Sequence, residues 1–127
     1  MNRRVNYHAA IVIAAWLGCA APLQAACLYP HKPTVPNGST ASPEEMLAAE
    51  QSVKQYSADI ETYLRCVDVA TPKEVDVTAD MSDAQKQALA KQIELSAEKK
   101  AAAVSDQTEV AARFNEELHI LKERLGK

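Results

Sequence analysis

The sequence predicts an all-α protein: a two-helix antiparallel hairpin, coiled-coil-like, with a proline-rich N-terminal arm packed on the first helix. Three observations carry this. Two segments place apolar residues at alternating steps of three and four, the seam pattern of packed helices. Each opens on a capping box, Ser42 with Glu45 and Ser82 with Gln85. Between an apolar leader and the first helix, Pro30, Pro33 and Pro36 recur every third residue. Polyproline II has three residues per turn, so the three rings share one face.

In chain order, residues 1–26 read as a secretory signal peptide. Arg3 and Arg4 form a basic start, an apolar run of about 15 residues follows from Ala9 to Leu23, and Ala25 and Ala26 are small. The run is shorter than the roughly 20 residues of a membrane-spanning helix. Cleavage is expected after Ala25 or Ala26, and an uncleaved short anchor is the alternative. The expected location is the periplasm or the medium, with no membrane span after cleavage.

Residues 27–41 form the arm, closed by the Asn37-Gly38 turn signal. Helix 1 is expected over 42–69. Ser42 caps it, Pro43 suits its first position, and Met46, Ala49, Val53, Tyr56, Ile60, Tyr63 and Val67 form its seam. Glu50 with Lys54, and Glu61 with Arg65, are i,i+4 pairs in the favourable order. Pro72 and the β-branched run after it end the pattern, giving a connection over 70–81.

Helix 2 is expected over 82–125, a stretch without Gly or Pro and rich in good helix formers. Ser105-Asp106 with Glu109 offers a second start, so a break near 105 is the alternative to one continuous helix. The continuous form exceeds helix 1 in length. The stripe Val104, Ala111, Phe114, Leu118, Leu121 and Leu125 is therefore the expected interaction face, open to a second copy or another envelope protein.

Composition excludes several classes. Of the 14 Lys and Arg, two are Arg3 and Arg4; without the leader 12 remain against 17 Asp and Glu, a net of −5. An acidic chain with dispersed bases argues against nucleic acid and anionic lipid as partners. Beyond the leader there is no Trp, one Phe (Phe114) and three Tyr, which suits thin helix-on-helix packing.

Cys27 and Cys66 remain after cleavage, and two cysteines in an oxidising compartment most simply pair. Such a loop is worth roughly 4 kcal/mol in the chain-entropy account. Lipidation of Cys27 is the competing reading, although Gln24 stands where a lipoprotein signal carries an apolar residue. Lengths agree with the bridge. Cys27 to Pro36 spans about 28 Å in polyproline II, and Pro43 to Cys66 about 35 Å as helix. An arm folded back antiparallel brings the cysteines together and gives Pro30, Pro33 and Pro36 the rings of Tyr56 and Tyr63 to pack on.

The stretch Tyr29-Pro30-His31-Lys32-Pro33-Thr34-Val35-Pro36, a turn, and Pro43-Glu44-Glu45-Met46 resembles the start of the pancreatic polypeptide and neuropeptide Y family. That family folds a polyproline arm onto an amphipathic helix. The resemblance implies the arm-on-helix geometry and not hormone function, because the amidated Arg/Tyr end that receptors read has no counterpart here. Residues 36–46, Tyr63-Leu64-Arg65-Cys66 and Arg113-Phe114-Asn115-Glu116 are similar to a group of small exported proteobacterial proteins. This second resemblance implies export and helicity and adds no chemistry.

No constellation for catalysis, a cofactor or a metal stands out. His31 and His119 each lack a Cys or His at i+3 or i+4. There is no Gly-x-Ser-x-Gly elbow and no Gly-rich phosphate loop. The expectation is a non-enzymatic envelope protein acting through helical protein–protein contact, with an unknown envelope protein or a second copy as partner. The alternative is a small inhibitor or binding module that uses the arm and turn, His31 to Gly38.

Overall fold

A computed structural model describes residues 27–73 and 80–126. The leader, cleavage site, residues 74–79 of the connection, and Lys127 lie outside the described residues. Two helices, α1 (Pro43–Ala70) and α2 (Asp83–Arg124), pack against each other, and among the described residues there is no strand.

Both capping boxes form as the sequence requires. The Ser42 hydroxyl accepts the Glu45 N–H while the Glu45 carboxylate accepts the Ser42 N–H at 2.8 Å. Ser82 and Gln85 repeat the arrangement at the head of α2. These reciprocal bonds satisfy donors that a helix start otherwise leaves open. α2 runs unbroken for 42 residues, so no break occurs at Ser105. It stops where Leu125 caps it and Gly126 takes a left-handed φ of 69°, a conformation that favours glycine.

α1 buries the seven seam residues named above, Met46 through Val67. Ile60 at the centre is 0 % exposed. With Ala103, Val110, Phe114 and Leu121 of α2, and Val35 and Ala41 before α1, they make one core. The helices are antiparallel: Asp68 near the end of α1 meets Lys100 at 2.7 Å, and the start of α1 lies toward the end of α2, where Arg124 bonds Ala41.

The arm does more than lie on α1. Cys27 is disulfide-bonded to Cys66, with Cα atoms 5.7 Å apart, and the Tyr29 ring meets Tyr63 edge-on at 4.9 Å between centroids. From Tyr29 onward its polar contacts are with α2. The arm thus fills the groove between the helices as a third, extended layer, with Pro30, Pro33 and Pro36 half-buried at their three-residue spacing.

α2 is about 63 Å long and α1 about 42 Å. The last residues of α1 lie opposite Gln92 to Lys100. Residues 83–91 of α2 therefore continue beyond the end of α1, by about 14 Å. The excess length is at the N-terminal end of α2, away from the expected interaction face, Val104 to Leu125.

Candidate interaction surfaces

Two polar clusters fix the arm on α2. In the first, the Tyr29 hydroxyl donates to Asp106 at 2.7 Å, and the Lys32 ammonium lies 2.9 Å from Asp106 and 3.2 Å from Glu109. The Tyr29 bond and then Lys32 hold the Asp106 carboxyl below its ordinary range. Burial, and then the bond to Asp106, pushes Tyr29 well up, and Lys32 is raised chiefly by its bond to Asp106. Tyr56 lies behind them. Its hydroxyl is buried without a properly formed hydrogen bond, and that burial raises its pKa.

The second cluster holds the turn. The Asn37 carbonyl accepts the N–H groups of Thr40 and Ala41, and its side chain accepts that of Ser39. Gly38 is pressed onto α2: its N–H donates to the Glu117 carboxylate at 2.7 Å, and its carbonyl accepts from Arg124 at 3.3 Å. A Cβ here would collide with the Glu117 carbonyl and come within 3.0 Å of the Leu121 nitrogen. Gly38 is therefore required by close approach, although its φ is ordinary.

These clusters redraw the face expected on α2. Phe114 and Leu121 are buried in the chain's own core, Leu118 packs against that core, and Ala111 is half-buried. Val104 and Leu125 are exposed, at 48 % and 41 %. The stripe is thus split and does not form a free surface. Apolar spacing selected Val104, Ala111 and Leu118, whereas the buried line runs through Ala103, Val110, Phe114 and Leu121, with Glu117 and Leu118 both half-buried along it. Glu117 is tolerated on that line because it bonds the Gly38 N–H. The acids at 106, 109 and 117, with Arg124, are the arm's recognition set. Their spacing on one side of a helix, facing an arm that contains Lys32, was the available signal. Apolar periodicity is blind to it.

Tyr56 and Tyr63 fall where expected, buried beneath the arm. His31 is exposed, and His119 pairs only with Glu123, at 3.2 Å. Among the described residues no group of three acids, histidines or cysteines is placed to hold a metal, and no helix is long and apolar enough to cross a membrane.

The most exposed large apolar side chains are at the disulfide end. Leu28 and Val69 are 87 % and 89 % exposed. A groove of about 900 Å³ separates the last two turns of α1 from the middle of α2. Past it, Lys86, Leu89, Ile93 and Ser96 are half-buried at steps of three, four and three. They carry the line of Lys100, Ala103, Gln107 and Val110 back toward the start of α2 in unbroken heptad register. No protein-family model, curated protein or solved structure matches the chain.

Proposed function

We propose that the protein is a non-enzymatic component of the cell envelope, exported by its N-terminal segment, that works through helical protein–protein contact. The observation that carries this is the N-terminal part of α2, where, among the described residues, the heptad line continues through Leu89 past the last turn of α1. A seam that outruns its intramolecular partner has apolar side chains to offer a second helix. The partner is an envelope protein or a second copy of this chain. The Cys27–Cys66 bridge supports an oxidising location, periplasmic or secreted, and a bridged Cys27 leaves lipidation without support.

The inhibitor reading has less support. Val35 and Gly38, at the heart of the arm and turn, are buried against the chain's own helices. They are occupied as an internal ligand.

Photo-crosslinking in intact cells tests the proposal, with the probe placed at Gln87 or Lys91 and, for comparison, at exposed Gln55. Adducts to one partner from the two α2 positions and none from Gln55 are expected. Adducts from Gln55 alone would sink it. Sedimentation of the purified oxidised protein separates the partners: a concentration-dependent dimer abolished by Leu89→Asp indicates self-association, and a strict monomer indicates a different protein.

A further inference from the structure

The groove at the disulfide end has a chemistry unlike the rest of the surface. Its apolar lining includes the Cys27–Cys66 bridge, Val69 and Leu95. Its charged lining residues are Arg65 on α1 and Lys99 on α2, and among the described residues no Asp or Glu lines it. In a chain with 17 acidic and 14 basic residues this local balance is reversed. Among the described residues the nearby acids are spent or weak. Asp68 is held by Lys100 at 2.7 Å, and Glu61 stands 4.0 Å from Arg65 with both side chains largely exposed, a pairing of little strength. Lys99 has no ion pair among the described residues.

From this we infer that the groove binds a single-chain amphiphile: an aliphatic chain ending in an anionic head. Val69 and Leu95, 89 % and 44 % exposed, gain by covering the chain. Arg65 and Lys99, on opposite walls, meet the head. The volume falls within the roughly 300–1,000 Å³ of small-molecule sites. An extended peptide fits less well. It would bring backbone N–H and C=O groups into a groove walled by helices whose own backbone groups are already bonded, whereas an alkyl chain brings none. Lys99 has one competing role, since α1 has no basic residue in its last turn and a lysine on α2 can offset the negative end of α1.

The test is an NMR titration of the exported, disulfide-bonded protein with dodecanoate below its micelle concentration, beside dodecylammonium and butyrate. Saturable shifts centred on Thr62, Val69 and Leu95 are expected, with dodecanoate at least about tenfold tighter than either comparison compound. Arg65→Glu with Lys99→Glu should reverse the preference between the two long-chain ions. Both residues are exposed, and Leu95→Gln, which should weaken both long-chain ions while keeping their order, serves if the double variant does not fold. Equal affinity for dodecanoate and dodecylammonium, or no saturable shifts at these residues, would overturn the inference. So would a double variant that loses stability but keeps the wild-type preference, which is the result expected if the bases serve only the helix end.

Discussion

Single side chains decide how the arm is held. Gly38→Ala places a methyl group against backbone atoms of α2 that cannot swing aside. A loss of about 2–3 kcal/mol in urea unfolding is expected, toward the upper end of overpacking costs. Tyr56→Phe should behave oppositely. The lost hydroxyl is buried and unbonded, so stability should stay level or rise by up to about 1 kcal/mol; a clear loss would show that the hydroxyl has a partner. Asp106 makes docking acid-sensitive. Its folded-state pKa is depressed by Tyr29 and then Lys32. Its contribution is therefore full above the ordinary carboxyl value near 4, and is lost as pH falls through the lower folded value. The side-chain NMR shifts of Tyr29, Lys32 and Val35 should move toward undocked values between about pH 5 and pH 2, and Asp106→Asn should remove that step. Unchanged shifts across the range in the wild type would refute the assignment.

Among the elements, the arm and the two helices depend on different forces. α1 is specified by its own seam, cap and proline, and all seven of its predicted seam residues are buried. α2 is weaker as an amphipathic helix, with charged or polar residues at several positions of its line. The arm completes what α1 leaves uncovered, through Val35 and Gly38. The disulfide keeps the arm near its site. Reduction, or Cys66→Ser, should lower stability by about 4 kcal/mol on the loop-entropy account, read as a drop in urea midpoint. The amides of the turn that closes the arm, Gly38, Thr40 and Ala41, should lose more protection than those of α1. Uniform loss across both elements would mean that the bridge staples the whole fold and not the arm in particular.

For the whole molecule, length is the controlling property. A 42-residue helix in a chain with a thin core cannot be compact. The radius of gyration by small-angle scattering should clearly exceed the roughly 13 Å of a globular chain of about 100 residues. A value near 13 Å would require α2 to bend back on itself. The C-terminal half of α2 is committed to α1 and the arm, so the proposed interactions fall on the N-terminal part of α2 and the groove beside it.

The sequence by itself determined the helices, their caps and the α1 seam, and it favoured an unbroken α2 and the cysteine pairing over a break near 105 and a lipidated Cys27. Each of these rests on local spacing or on a count of two. Tertiary structure alone decided which residues of α2 face inward and which end runs past α1. Apolar periodicity fixes a helix face only to within about one residue, some 100° of rotation, and two surfaces compete for α2. With α1 and the arm both demanding contact, the buried line passes through Ala103 in place of Val104 and Val110 in place of Ala111, and Glu117 is half-buried alongside Leu118. Hydrogen bonds from an arm some eighty residues away in sequence made that rotation favourable, and a pattern read along one helix does not contain them.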